Sequence, residues 1–315
     1  MEMNKVQEGM MEENILNVED LVVSFNMYKK GFRKTDLEVI HSLSLDVNKG
    51  EILAVAGSSG SGKSLLAHAV LGLLPKNAHT GGTIRYKGQE LTKKNTGKFL
   101  GKEIAYIPQS VDYLDPLMKI KKQVAGVRGT EEKAEKLLRQ YQLPDEAQNM
   151  YPFQLSGGMA RRVLISSAMM EQPDLIIADE PTPGLDTQMA METMRQFRQL
   201  ADAGTAVLLI THDIDLALQA ADRIAVFYAG TIVEIAPKED FIKGKEALRH
   251  PYSRAFIDAL PQNDFRPLKG TQPYAGNLPE GCLFAPRCEF CDEQCTGKIP
   301  MRKVRGGEVR CIHAT

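Results

Sequence analysis

Apolar and polar residues alternate from the first well-patterned stretch of the chain. "ILNVEDLVVSF" (residues 15–25) and "VIHSLSLDVNKG" (39–50) have the two-residue period of half-buried strands, with a turn at Asn48, Lys49 and Gly50. "EILAVAGSSG" (51–60) is a further strand running into a Gly/Ser loop, and a helix is expected from Gly62 and Lys63 through "SLLAHAVLGLL" until Pro75 stops it. "GGTIRYKGQEL" (81–91) predicts a short strand and turn. "TEEKAEKLLRQYQL" (130–143) has helical spacing, with its acidic residues in the first turn. "DLIIAD" (174–179) and "AVLLITHD" (206–213) are almost wholly apolar, as suits strands covered on both faces in a parallel sheet. "RIAVFYAGTIVEIA" (223–236) predicts a hairpin turning at Ala229 and Gly230. After Pro237 the pattern changes: Pro, Gly and Cys become frequent, and periodicity fades from about Pro261.

Composition then narrows the field. A chain of 315 residues has room for a large domain and a smaller one. The formal net charge of -1 gives no reason to expect a basic nucleic-acid surface, and there is no apolar run of spanning length. The first residues lack an apolar signal segment, so a reducing compartment is expected and stable disulfides are not. The boundaries drawn are a disordered lead-in over 1–11, a main domain over 12–240 and an extension over 241–315.

Candidate chemistry begins with "GSSGSGKS" (57–64), which fits G-x-x-x-x-G-K-[ST] between a strand and a helix. Glycines let the backbone close round phosphates, so that amide N–H groups face the anion. Gly57, Ser58, Ser59, Gly60, Ser61 and Gly62 form the loop, Lys63 reaches the β- and γ-phosphates, and Ser64 offers a hydroxyl to Mg²⁺. "LIIADE" (175–180) ends a buried strand in two carboxylates: Asp179 is a Mg²⁺ contact and Glu180 a general base for the attacking water.

The order of the remaining motifs carries a resemblance. "IPQS" (107–110), "LSGGM" (155–159), "PGLD" (183–186) and "THD" (211–213) surround the phosphate loop as they do in the nucleotide-binding subunit of an ABC transporter. The resemblance runs from about Ile15 to Cys311 and implies an α/β fold. That fold has a RecA-like P-loop core, an antiparallel β subdomain, a helical subdomain (about 112–168) and the Cys-containing extension. It also implies ATP and Mg²⁺ as ligands and hydrolysis coupled to transport. Gln109 corresponds to the glutamine that senses Mg²⁺ and the transmembrane partner. Ser156, Gly157 and Gly158 correspond to the signature that meets ATP held on the opposite subunit. Asp186 corresponds to the loop aspartate and His212 to the histidine that contacts the γ-phosphate. The adenine-stacking aromatic is Phe25, with Tyr28 and Phe32 as rivals and strand core as the other role for Phe25.

"RHPYSRAFIDALP" (249–261), "YPFQLSGGM" (151–159) and the cysteine-bearing tail are similar to the D-type ATPase of dipeptide, oligopeptide and nickel importers. That resemblance implies a related F-type ATPase, two membrane permeases and an extracytoplasmic binding protein as partners, no nucleic acid, and a peripheral place on the cytoplasmic face of the membrane. An ABC ATPase of another machine, such as a phosphonate carbon–phosphorus lyase accessory subunit, is the alternative. Three departures stand out. The segment before "YPFQLSGG" is short, "MARR" (159–162) stands where a Gln usually precedes the Arg, and "PTPGLD" (181–186) carries Pro183 and Gly184 in place of small residues. Cys282, Cys288, Cys295 and Cys311, with five, six and fifteen residues between them, resemble the importer tail in which four cysteines hold an iron–sulfur cluster, [4Fe–4S]. Zn²⁺ and free thiols remain alternatives, and Cys291 is a spare thiol or a substitute ligand.

Overall fold

The computed structural model describes residues 13–28, 34–58, 60–260, 263 and 266–315. The lead-in over 1–11, Ser59, Phe32 and Pro261 lie outside the described residues, as does the side chain of Tyr28.

Strands β1 (Asn14–Tyr28) and β2 (Lys34–Asn48) pair antiparallel. β3 (Ile52–Ala56) leads into helix α1 (Lys63–Val70), followed by β4 (Ala78–Tyr86), β5 (Gln89–Glu90) and β6 (Ile104–Ile107). Helices α2 (Ile120–Ala125), α3 (Glu131–Gln140) and α4 (Gly157–Ala168) come next, then β7 (Leu175–Asp179), α5 (Thr187–Asp202), β8 (Ala206–Thr211) and α6 (Ile214–Ala220). β9 (Arg223–Tyr228), β10 (Thr231–Pro237), α7 (Lys238–Lys243), α8 (Pro251–Asp258), β11 (Arg302–Val304) and β12 (Gly307–Val309) complete the order. One sheet runs β2-β1-β4-β5, all antiparallel. The second runs β11-β12-β10-β9-β3-β8-β7-β6, in which β9, β3, β8, β7 and β6 are parallel neighbours.

The apolar runs behave as their composition requires. Every residue of β3, β7 and β8 is buried, because helices cover one face of the parallel sheet and α1 with the antiparallel sheet covers the other. The β9–β10 hairpin turns at Ala229 and Gly230, both at positive φ (47° and 87°), which the tight mirror-image turn needs. Gly230 has a second reason to lack a side chain: a Cβ there would lie 2.1 Å from the Val39 carbonyl oxygen. The first helix ends sooner than expected. Gly72, at φ 66°, closes it with its N–H on the Ala69 carbonyl, so the chain has left the helix before Pro75.

The tail is fastened to the sheet by buried polar groups. Glu234, on β10 and fully buried, accepts the Arg249 and His250 backbone N–H groups, each at 2.8 Å. Its Oε1 also meets the Arg249 guanidinium at 3.3 Å, and that guanidinium continues to Asp240 at 2.8 Å. His250 caps α8: its Nδ1 accepts from the Tyr252 N–H at 3.0 Å, so the neutral ring carries its proton on Nε2. Burial pushes its pKa down to about 3, with the Arg254 cation adding to the effect. The unfolded chain takes up that proton near pH 6.5. Stability from this group is therefore complete above about pH 6.5 and declines as the pH falls toward 3, by at most about 1.4 kcal/mol per pH unit. His250→Asn keeps a cap acceptor. Denaturant midpoints between pH 6.5 and 4.5 are expected to slope less steeply for it than for the unsubstituted chain; parallel slopes would show that His250 is not the group responsible.

Candidate nucleotide site

The phosphate loop leaves β3 beside β9. A Cβ on Gly57 would lie 2.5 Å from the Phe227 carbonyl oxygen, so only glycine lets the loop leave the sheet at this angle. Lys63 is 5% exposed and folds back over the loop, donating to the Gly57 and Ser58 carbonyl oxygens at 2.8 and 2.9 Å. Desolvation lowers its pKa, while Glu180 and Asp179 oppose that shift. Gly60, Gly62, Lys63, Ser64, Leu65, Gln109 and Glu180 line a cavity of about 300 Å³. Ser61 is buried in the same loop.

Ser64, which lines this cavity, donates its hydroxyl to Asp179, Oγ to Oδ1 at 3.1 Å. Asp179 is 1% exposed, and burial raises its pKa despite the Ser64 bond. A hydroxyl and a buried carboxylate, with Gln109 nearby, are hard oxygen donors of the kind that suit Mg²⁺. Glu180 follows Asp179 at φ 49°, a backbone conformation that costs energy outside glycine. Its N–H donates to the Ile210 carbonyl at 2.9 Å, and its Oε2 bonds His212 Nδ1 at 2.7 Å. β7 and β8 are adjacent parallel strands, so their C-terminal ends deliver the carboxylate and the imidazole together.

The other expected site residues lie apart from this cavity. Ser156 caps α4, its Oγ accepting from the Met159 N–H at 3.3 Å, and Ser156 and Gly157 are exposed. Asp186 caps α5 through the Met189 N–H at 2.8 Å. Gly158 approaches Leu185 and Gly184, so the signature and the "PGLD" loop are neighbours. Phe25 is half-buried against the core of the antiparallel sheet and does not line the cavity.

Several residues at the site escaped sequence reasoning. Tyr106 of β6 stands 3.5 Å from Asp179 and 3.3 Å from His68 Nε2. Arg161 is 4% exposed and donates to the Pro108 and Gln109 carbonyls, both at 2.5 Å. The unusual "MARR" thus ties the signature helix to the Gln109 loop. Gln272, from the tail, lies 3.4 Å from the Ser58 hydroxyl and brings the extension to the phosphate loop.

With this geometry in hand, comparison with known proteins is direct. Residues 40–183 match the ABC transporter family, and residues 233–295 match the oligopeptide/dipeptide transporter C-terminal region. A probable D,D-dipeptide transport ATP-binding protein of Escherichia coli is 34% identical, over 96% of this chain and 96% of its own length. The chain belongs to the ATP-binding proteins of the ABC transporter family, in its oligopeptide/dipeptide group. A dipeptide transport ATP-binding protein of Bacillus subtilis is 32% identical, covering 93% of this chain and 92% of its own. An ATP-binding cassette solved as a dimer in a post-hydrolysis state with ADP and phosphate shares the fold, with a TM-score of 0.62. It is 24% identical and covers 71% of this chain and 99% of its own. This member of the family is thus an ATPase that uses ATP with Mg²⁺. Among the described residues no helix is long and apolar enough to cross a membrane.

Lys63→Ala is expected to weaken ATP binding about 10–100-fold, the worth of a charge-assisted contact. Nucleotide titration by calorimetry checks this; unchanged affinity would remove Lys63 from the phosphate site.

Proposed function

We propose that this chain is the ATP-hydrolysing subunit of an importer for dipeptides or oligopeptides, or for nickel or other metal chelates. The observation that carries the reading is the peptide-transporter C-terminal region beside a full set of nucleotide-site residues. The relatives' names, dipeptide and oligopeptide transport, favour peptides. Residues 12–240 form the ATP-binding domain and 241–315 the extension. Glu180 acts as general base, drawing a proton from water as it attacks the γ-phosphorus, and His212 orients Glu180 and contacts the γ-phosphate. Lys63 and the loop amides offset phosphate charge; Ser64, Gln109 and Asp179 serve the Mg²⁺ that accompanies ATP.

Ser156, Gly157, Gly158 and Asp186 act on the nucleotide of a second subunit. Ser156, Gly157 and Asp186 are exposed and none of the four lines the chain's own cavity, which supports a head-to-tail dimer, with a related F-type ATPase as the partner. Two permeases and an extracytoplasmic binding protein complete the system, with this subunit on the cytoplasmic face of the membrane. Affinity purification of the full chain from solubilised membranes tests the reading. Co-purifying permeases and a second ATPase are expected; recovery with carbon–phosphorus lyase subunits instead would overturn it.

The tail thiols support a further part of the same reading. Burial raises the pKa of Cys282, Cys288 and Cys311, and mutual repulsion with neighbouring thiolates adds to it. Cys295 is the neighbour of both Cys282 and Cys311 in this group. Cys282, Cys288, Cys295 and Cys311 thus lie near one another, and four soft thiolates suit an iron–sulfur cluster. Cys282, Cys288, Cys295 and Cys311 would hold the iron–sulfur cluster, whose part here is to brace the tail.

A further inference from the structure

A cavity of about 460 Å³ opens where β2, β10 and the tail meet, and it shares no lining residue with the nucleotide cavity. That volume is in the range of about 300–1,000 Å³ usual for small-molecule sites. His41 and Ser42 come from β2, Thr231 and Val233 from β10, and the loops around Gly281 and Gly297 close it from the tail. Of the four cysteines read as cluster ligands only Cys282 lines it, so the cavity and the cysteine set stand side by side.

The wall is polar and incompletely paired. His41, Thr231 and His250 each bury one side-chain atom that makes no hydrogen bond, Nε2, Oγ1 and Nε2 respectively. None of the three atoms is open to solvent, so bulk water does not serve them as they stand. A buried polar group without a partner costs about 1–3 kcal/mol, and three around one cavity mark a place suited to a ligand rather than to packing. The neutral His250 ring carries its proton on Nε2 and is a donor; the Arg310 carbonyl approaches it without closing a bond. His41 gives its Nδ1 proton to Glu38 Oε1 at 2.7 Å, which leaves Nε2 of its neutral ring an acceptor. Thr231 offers either role.

The charge in the wall is also uncompensated. Arg310 donates to the carbonyls of Ile232, Ile299 and Ser42 at 3.3, 3.2 and 2.8 Å. Among the described residues these carbonyls are its only side-chain partners, and Asp20 acts on it from a distance. Ser42 and Ile299 line the cavity too, which places the guanidinium at its wall with two of its five N–H groups, one on each Nη, undonated. Water satisfies single donors but does not neutralise a half-buried cation. Two exposed side chains of opposite sign, Glu280 and Lys298, complete the lining.

We propose that this cavity binds a small zwitterion, a free amino acid or dipeptide, with its carboxylate on Arg310, His250 and Thr231 and its ammonium on His41 and Glu280. A carboxylate brings the two acceptor oxygens and the negative charge that the guanidinium lacks. An ammonium brings donors to the His41 acceptor, with Glu280 as counter-charge. Small adjustments of the wall bring the three unpaired atoms to the ligand, and the atoms themselves have no bond to lose. A bound zwitterion ties both sheets to the tail through one molecule, so occupancy stabilises the docked tail. The site is independent of the solute proposed for transport.

The test uses the full chain, purified anaerobically so that any group held by the cysteines stays in place. Saturating Mg²⁺–ADP fills the phosphate loop. Calorimetric titration with L-alanyl-L-alanine is expected to show one site per chain, and the dipeptide should raise the melting midpoint. N-acetylation or C-terminal amidation of the dipeptide should each weaken binding about tenfold or more, since each removes a charge-assisted contact. Thr231→Val keeps the shape of the side chain and should weaken binding about 2–10-fold, the worth of one neutral hydrogen bond. Glu280→Gln should weaken binding of the dipeptide and leave binding of its N-acetyl form unchanged. ADP affinity of each variant confirms that it is folded. Absence of both heat and midpoint shift with L-alanine and the dipeptide at millimolar concentration would overturn the proposal, as would equal affinity for the amidated dipeptide. Displacement by inorganic phosphate at equal affinity would overturn it by making this a site for a plain anion. Unchanged binding in both variants would place the dipeptide elsewhere on the chain.

Discussion

Glu180→Gln is expected to keep ATP binding while lowering hydrolysis by about 10²–10⁴-fold, the usual worth of a positioned general base. The amide has the shape of the carboxylate, and its oxygen still offers His212 Nδ1 an acceptor at the 2.7 Å position. The backbone at φ 49° is held by the Glu180 N–H on Ile210, which the substitution leaves alone. On the proposed mechanism, what disappears is the basic oxygen that takes the proton from water. In the proposed site binding rests on Lys63 and the loop amides, and removing the negative charge of Glu180, which faces Lys63, is not expected to weaken it. ATP should therefore accumulate uncleaved and hold the closed state, since a ligand shifts an equilibrium by its difference in affinity for the two states. Phosphate release and nucleotide titration measure the first two effects. Size-exclusion chromatography with ATP and the partner ATPase measures the third. Undiminished turnover would take Glu180 out of the chemistry, and a monomer at saturating ATP would take the closed dimer out of the cycle.

The phosphate loop was legible because its information is local. Eight consecutive residues between an apolar strand and a helix state both the geometry and the chemistry. Asp179 and Glu180 were legible for the same reason, as the polar end of a wholly apolar run. Tyr106 was not, because its relation to Asp179 exists only once β6 and β7 pair. Arg161 read as a charged helix residue; its burial and its hold on the Gln109 loop depend on how α4 packs. The tail was least legible. Strands β11 and β12 have three residues each, too few for a period to show, and their turn at Arg305 and Gly306 sits in a stretch rich in charge. The cysteines were visible as a spacing, but Thr231, His250 and Arg310 share the wall of one cavity only once the chain folds back through that hairpin.

The largest effect on stability is expected at Glu234, a residue that no sequence pattern marks. Its carboxylate accepts two backbone N–H groups at 2.8 Å and faces the Arg249 guanidinium, with no exposure to solvent. Glu234→Ala leaves a buried cation short of a partner and two buried N–H groups without acceptors. Breaking a buried pair in this way costs about 3–5 kcal/mol, a large share of the 5–15 kcal/mol that holds a folded domain. At roughly 2–4 °C per kcal/mol the melting midpoint should fall by about 10 °C. Glu234→Gln keeps acceptors for the N–H groups and loses only the charge, so it should fall less. The Glu234→Ala/Arg249→Ala pair should recover part of the loss, because the stranded guanidinium is gone. Equal midpoints for Glu234→Ala and the unsubstituted chain would show that the tail is held by its apolar contacts alone. Those contacts, Tyr228 against Tyr252 and Phe284, sit on the hairpin next to β3. Gln272 reaches Ser58 from the same tail. Loosening the tail is therefore expected to weaken nucleotide binding as well as lower the midpoint, since the phosphate loop loses a support that the sheet does not replace.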